Sequence, residues 1–396
     1  MDGSFFIYKM GVSEGETTYV YQYIKKAIKQ KEVRTVKKRN IVGLLFILFV
    51  ACLFTGCSLP EASEKGHGEA AGLNHETMTA IELKLAHFFP ATHPAETELV
   101  QKWAEAVSKG TGGLVTITSY PGGTLLTAEE IYDGVVTGIA DLGLSCFSYT
   151  RGRFPLLEAF ELPGIVYSNS KVASKVAWEG IKELNPQEIQ DTRLMMALAT
   201  GPGDLFTTVP VRNLEDLKGL EIRATGLSAK TLQSLGAIPV AMAQSETYEA
   251  LSKGVVKGNL SPIEVLEGWR HAEVTDYITF TPFLYNTLFF VTMNTDIWNS
   301  LPPEIQAAIE EANAAVHEEV AMGLWDMQNE SALQFAMEQS NPELISLSEE
   351  EAARWIALVE PIQDEFVTDM EGKGLPGEQA LDIVKRLAGQ YNDLYN

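Results

Sequence analysis

The sequence predicts an α/β protein built as two similar lobes, with a long helix lying across both and a helical C-terminus. Three patterns carry that prediction. From residue 81 onward, runs that alternate apolar and polar residues with period two are interleaved with amphipathic helical runs. The same grammar restarts near residue 192. Glu130, Tyr132, Asp133 and Gly138 recur as Glu246, Tyr248, Glu249 and Gly254 at a constant offset of 116, each set following a strand that carries a proline, Pro121 or Pro239.

In chain order, IELKLAHF reads as a strand and ETELVQKWAEAVSKGTGG as a helix stopped by glycines. GLVTITSYP is a second strand, rich in β-branched residues, followed by a helix over about 127–138 and the strand ADLGLS. Ser168 is expected to open the helix KVASKVAWEGI. In the second half TRLMMALATG, FTTVPV, LEIRAT, AIPVAM, DYITFTPF and TLFFVTMN read as strands, and LSAKTLQSLG and SETYEALSKG as helices. After Asn294 the pattern is helical. Pro302 and Pro303 mark a start, and the run to Ser340 has no internal proline, so one helix of about 36 residues would extend about 54 Å. Further helices are expected over about 348–370 and 376–393. The domain reading is an N-terminal extension and signal over 1–56 and a tether over 57–80. Lobe I covers 81–201 with 289–328, and lobe II covers 202–288 with 329–396.

Charge and the N-terminus bear on location. The chain has 396 residues and a net charge of −23, distributed unevenly: residues 1–56 hold 9 of the 30 Lys and Arg and 4 of the 53 Asp and Glu. The remainder is strongly acidic and repels phosphate backbones, which excludes nucleic acid as a partner. Arg34, Lys37, Lys38 and Arg39 precede an uncharged apolar run, Ile41–Phe54, too short to span a bilayer comfortably and right for a signal-peptide core. A translation start near Val33 would set the basic cluster where such a signal begins. Thr55, Gly56 and Cys57 resemble a lipoprotein box, with Phe54 where leucine is usual. Cys57 is therefore the expected lipidation site, an uncleaved anchor ending at Gly56 being the alternative. With Cys52 removed and Cys57 acylated, Cys146 has no disulfide partner.

The motifs of enzymes are missing: there is no GxSxG, HExxH, P-loop or GxGxxG after a strand, and the six histidines have no metal-ligand spacing. A two-lobed, exported, non-enzymatic protein with a cleft is what remains, with no cofactor expected and no metal-ligating residues among the candidates. In open α/β sheets ligands bind beyond the carboxyl ends of the strands. ADLGLS leads out to Ser145 and Tyr149, and VVKGNLS to Asn259 and Ser261, with Ser145 and Ser261 equivalent under the 116-residue offset. LEIRAT brings Arg223 to a neighbouring strand end, and the loop HFFPATHP brings His87. A guanidinium there can grip a carboxylate through two parallel hydrogen bonds. The same arginine could equally pair with a surface carboxylate, and the residues alone leave both open.

SYPGGTL with GIADLG, then GRFPLLEAFELPGIVY, LEDLKGLEIRATG, GAIPVAMAQSETYEALSKGVVKG and LPPEIQAAI, resemble in order the motifs of the solute-binding proteins of TRAP (tripartite ATP-independent periplasmic) transporters, of the dicarboxylate-receptor type. The resemblance covers about residues 81–396. It implies a periplasmic-binding-protein-like fold, capture of an organic acid in the interlobe cleft, and delivery to a TRAP membrane permease, with the receptor extracytoplasmic and held at the membrane by its N-terminal lipid. It places Arg223 at the family's carboxylate-binding arginine, although Thr225 replaces the motif's proline, and puts Ser261, ahead of Pro262, at a ligand-contacting position. Gln244, Tyr285 and Asn286 fall near the cleft in relatives, and of these Gln244 and Asn286 are taken as site candidates. Lys257 stands where the family has an acidic residue. No arginine occurs near Gly203, where sialic-acid-type members carry a second one, which argues for a different acid. A binding lipoprotein of the ABC type, or one linked to a sensor, is the alternative.

Overall fold

The computed structural model describes residues 79–395, which form two α/β lobes joined by crossing strands. The first sheet contains β1 (Ile81–His87), β2 (Val115–Tyr120), β3 (Leu142–Cys146), β4 (Thr192–Ala199) and β10 (Leu288–Asn294) in the order β2-β1-β3-β10-β4. The second contains β5 (Gly203–Thr207), β6 (Glu221–Ala224), β7 (Ile238–Ala241), β8 (Gly258–Pro262), β9 (Tyr277–Phe280) and β11 (Glu343–Ser346) in the order β11-β9-β5-β8-β6-β7. Strands β1, β2 and β3 are parallel to one another, as are β6, β7 and β8, whereas β10 and β5 run antiparallel to their neighbours. The pattern β2-β1-β3-β10-β4 therefore repeats as β7-β6-β8-β5-β9, and β3 and β8 coincide under the 116-residue offset. The sequence missed β11, which has four residues and adds at an edge beside β9.

The antiparallel strand of each sheet arrives from the other lobe. The chain crosses between β4 and β5 and returns between β9 and β10. The two crossings are bonded together: Thr200 N donates to Thr287 O at 3.0 Å, Gly203 N to Tyr285 O at 2.6 Å, and Thr287 N to Thr200 Oγ1 at 2.9 Å. These bonds satisfy backbone groups that would otherwise be buried without partners, and they define the floor of the cleft.

The long helical run crosses both lobes but is not one rod. It consists of Pro303–Glu319, a tighter turn Ala321–Gly323, and Leu324–Gln339. Val320 leaves helical geometry at φ −123°, and Gly323, the one glycine in the run and a weak helix former, closes the turn. The first segment is pinned to lobe I, where Trp103 Nε1 donates to Asn313 Oδ1 at 2.6 Å and His317 Nε2 to Ala197 O at 2.8 Å. In the first turn of the second, Asp326 caps the helix Ser170–Leu184 by accepting from Ser170 N and Lys171 N at 2.8 and 3.0 Å. This second segment continues to lobe II, where Ser331 Oγ donates to Glu267 Oε2 at 2.6 Å. The N-cap of Ser170–Leu184 is Asn169, whose side chain accepts from Val172 N, rather than Ser168.

The C-terminal segment divides between the lobes. Glu351 accepts from Leu214 N at 2.7 Å on the second-lobe side. The last helix, Gly377–Tyr395, packs on Ser170–Leu184, where Asn392 accepts from Ser168 N and donates to Val166 O. The signal run, Cys57 and the tether up to residue 78 lie outside the described residues. No helix among the described residues is long and apolar enough to cross a membrane.

Candidate functional site

Strand β6 explains how an arginine comes to be inside. Glu221 at its start is exposed, then Ile222, Arg223 and Ala224 are all buried because β7 and β8 flank the strand. Ile222 and Ala224 share one face and enter the lobe core, while Arg223 points to the other face, towards the cleft. It is 2 % exposed and is the one Lys or Arg buried among the described residues. Nε donates to Met242 O at 3.1 Å, Nη1 to Ser261 Oγ at 3.3 Å and Asn259 Oδ1 at 3.5 Å, and Nη2 to the hydroxyl of Tyr149 at 3.2 Å. Every one of these acceptors is neutral. A buried guanidinium with no carboxylate partner is electrostatically unfinished, since burial of a charge is costly unless it is paired.

Tyr149 comes from the other lobe, on the turn after β3. Its hydroxyl accepts from Arg223 and also from Gln244 N at 2.9 Å, the first residue of the helix Gln244–Ser252. With both lone pairs engaged, its proton is left to donate. Burial holds this phenol well above the usual tyrosine range, so it stays a donor at physiological pH. The lobes are thus closed on one another here.

Behind Arg223 stands His271, fully buried. Burial, helped by the Arg223 charge, depresses its pKa to about 3, so the ring is neutral. A neutral imidazole has one N–H and one lone pair. The ring touches two amides, Gln244 at 3.2 Å through Nε2 and Asn259 at 3.3 Å through Nδ1. Asn259 already directs Oδ1 to Arg223 and accepts from Ser261 Oγ at 3.0 Å. Its NH2 therefore faces Nδ1. The Gln244 atom opposite Nε2 is likewise its NH2 nitrogen, with Oε1 accepting from Ser261 Oγ at 3.3 Å, and a neutral ring with one lone pair accepts from one of the two amides. His271 lies against both amides that contact Ser261.

The cavity in front of Arg223 is strongly aromatic. Phe88, Phe89, Tyr149, Trp269, Tyr285 and Phe289 line it, together with Cys146, Thr200, Gln244, Ser261, Glu264 and Thr287. The enclosed space among them is only about 20 Å³, room for about one water, so in this closed form the rings and Arg223 fill most of the cleft. Phe88 stacks on Phe89 with centroids 4.3 Å apart and meets Tyr149 edge-on at 5.3 Å. Arg223 is the single cation in the lining. A larger groove beside the C-terminal helix contains Glu183, Glu371, Glu378 and Asp382 against Arg386 alone, a balance that repels an organic anion.

Of the residues expected from sequence, Arg223, Ser261, Asn259, Tyr149 and Gln244 converge, with Asn259 held behind Arg223 rather than on the cavity wall. Three do not. Ser145 points to the opposite face of β3, donating to Ala128 O at 2.9 Å, and its neighbour Cys146 faces the cavity instead. His87 ends β1 with its ring turned to Glu96 at 2.7 Å and Ser119 at 3.1 Å, while Phe88 and Phe89 beyond it enter the cavity. Asn286 is buried between Tyr285 and Thr287, whose side chains line the cavity while its own does not. Each candidate stands beside a residue that lines the cavity; for Ser145 the alternation of faces along β3 puts it one residue out of phase. Glu264, Trp269 and His271 were missed. WRH at 269–271 has no motif value, and only the packing of the lobes brings it to the cleft. Gly203 packs against the Tyr285 ring, where an added Cβ would lie 2.5 Å from Cδ1, so the chain has no space for a second arginine at that point.

The model of the bacterial extracellular solute-binding proteins, family 7, matches residues 85–369. The C4-dicarboxylate-binding periplasmic protein DctP of Rhodobacter capsulatus is 27 % identical over 293 residues, covering 72 % of this chain and 86 % of that protein. A TRAP solute-binding protein of Rhodoferax ferrireducens, solved with copurified benzoate, is similar at 26 % identity and TM-score 0.75, covering 80 % of this chain and all of that one. A TRAP periplasmic solute-binding protein of Desulfovibrio salexigens, solved as an open complex, is similar at 35 % identity and TM-score 0.67, covering 79 % and 97 %.

Proposed function

The chain belongs to the bacterial extracellular solute-binding proteins of family 7, and from that premise we propose that it captures an aromatic monocarboxylate between its lobes and passes it to a TRAP-type permease. The observation that carries this reading is Arg223, buried without a carboxylate partner at one wall of a cavity lined by six aromatic rings. A ligand carboxylate supplies the missing charge. Nη1 and Nη2 can turn from Ser261 and Tyr149 towards it, while Nε remains on Met242 O. The Tyr149 hydroxyl can then turn its proton from the Cys146 sulfur to the carboxylate, and the rings sandwich an apolar body.

One carboxylate is favoured over two. A dicarboxylate would need a second cation, and the lining has none but does include Glu264. The benzoate held by the Rhodoferax ferrireducens relative accords with this choice, whereas the dicarboxylate of the Rhodobacter capsulatus relative does not. Because Tyr149 and Gln244 belong to different lobes, the bound acid would stabilise the closed form, and the permease would receive the closed receptor. We further propose that Cys57 carries the lipid that keeps the receptor at the outer face of the cytoplasmic membrane.

Calorimetric titration of the purified mature protein with benzoate, phenylacetate and succinate tests the reading. The two aromatic acids are expected to bind and succinate to bind much more weakly. Tight succinate binding with no response to either aromatic acid would overturn it. For the anchor, Cys57→Ala should abolish acylation in cells, and acylation that persists would refute the lipid reading.

A further inference from the structure

Glu264 lines the same cavity and is 4 % exposed, yet nothing in the carboxylate-binding arrangement uses it. It follows β8 of the second lobe. Its Oε2 meets Nε2 of His93 at 3.2 Å, and His93, 1 % exposed, belongs to the loop after β1 of the first lobe. His93 Nδ1 accepts from Ala95 N at 3.0 Å, so a neutral ring carries its proton on Nε2 and gives it to Glu264. Gly268 makes space for the pair, since a Cβ there would lie 2.8 Å from His93 Nε2 and 2.9 Å from Glu264 Oε2. Rings enclose it, with His93 centroids 4.7 Å from Phe89 and 5.6 Å from Trp269. Oε1 of Glu264 takes no hydrogen bond from any described residue. That oxygen is not among the fully buried polar atoms without a partner, so it keeps some exposure and is an open acceptor in the cavity wall.

We propose that Glu264 Oε1 accepts a hydrogen bond from a hydroxyl on the ligand's ring, so that the preferred ligand is a hydroxylated aromatic carboxylate rather than its unsubstituted parent. The inference rests on the aromatic-acid reading above and adds the ring substituent. His93 is the positioning residue. It occupies Oε2 and thereby turns Oε1 to the ligand, and because it comes from the opposite lobe, the acceptor is set only when the lobes are closed.

The test is the ratio of affinities for 3- and 4-hydroxybenzoate against benzoate, measured by calorimetry on the wild-type protein, Glu264→Gln and Gly268→Ala. At least one hydroxybenzoate is expected to bind about tenfold or more tightly than benzoate, the effect of a hydrogen bond to a charged acceptor. In Glu264→Gln the amide must offer its oxygen to His93 Nε2–H, which leaves its NH2 facing the ligand and reverses the polarity at constant size. The ligand's hydroxyl oxygen can still accept from that NH2, so the ratio should fall about fivefold, from that of a charged hydrogen bond to that of a neutral one. It should also shrink in Gly268→Ala, which wedges the pair apart. Equal affinities in the wild type, or a ratio that survives in both variants, would overturn the proposal while leaving the aromatic-acid reading intact. Failure of all three acids to bind would overturn both.

Discussion

Replacing Arg223 by methionine separates affinity from stability. The guanidinium makes its bonds to Met242 O, Asn259, Ser261 and Tyr149, all neutral. Two of its N–H groups would turn to a ligand carboxylate, and hydrogen bonds to a charged group contribute about 1.5–3 kcal/mol each, so the loss on removal is about 3–6 kcal/mol. At about 1.4 kcal/mol per tenfold, affinity for benzoate should drop by roughly 10² to 10⁴. Arg223→Lys keeps the charge but not the fork, and one lost bond should cost about 10- to 100-fold. The unliganded protein should melt at nearly the same temperature or higher, because methionine relieves the burial of an unpaired charge and the bonds from Ser261 to Asn259 and from Gln244 N to Tyr149 remain. Calorimetry with benzoate, beside thermal unfolding without it, reads the two effects. Binding by Arg223→Met within about threefold of wild type would refute the carboxylate role of Arg223.

Three other perturbations follow from the same geometry. Burial lifts Glu161 from 4.5 to about 8, against the bond it accepts from Leu288 N. The folded state therefore keeps a proton that the unfolded chain has lost, and stability should decline as pH rises from about 4.5 towards 8, a slope that Glu161→Gln should flatten in melts at pH 5 and 8. His271, with a pKa of about 3, should give imidazole NMR signals that do not move between pH 5 and 8; a titration near its ordinary value of 6.5 would contradict the neutral ring assigned to the arginine's support. Gly203→Ala places a Cβ against Tyr285 and should cost about 1–3 kcal/mol of stability together with weaker ligand binding, both checked by melts and calorimetry.

Particular residues mark how far a sequence can be read. The repeated lobe was legible because strand and helix periodicities are local and the 116-residue offset aligned β3 with β8. The helical run after Asn294 was legible as helix, but its break at Val320–Gly323 was not, since no proline marks it and lobe packing sets the bend. Within the site, Arg223, Ser261 and Tyr149 could be placed because they end strands that a parallel sheet must aim at the cleft. Ser145, His87 and Asn286 do not line the cavity although a sequence neighbour of each does, because the end of a strand is readable while the direction its last residues take depends on what packs against them.

The sequence by itself determined the α/β class, the doubling of the lobes, the arginine near the end of β6 and the strongly acidic character. These follow from local periodicity, strand-end geometry and net charge, which need no knowledge of distant contacts. Tertiary structure alone decided that Arg223 lacks a counter-charge, that the cavity before it is aromatic, and that His93 meets Glu264 across the cleft. The physical reason is sequence separation. Phe88, Tyr149, Arg223, Glu264 and Phe289 come from strands and loops scattered over two sheets, and only the closure of one lobe on the other places them around a common space.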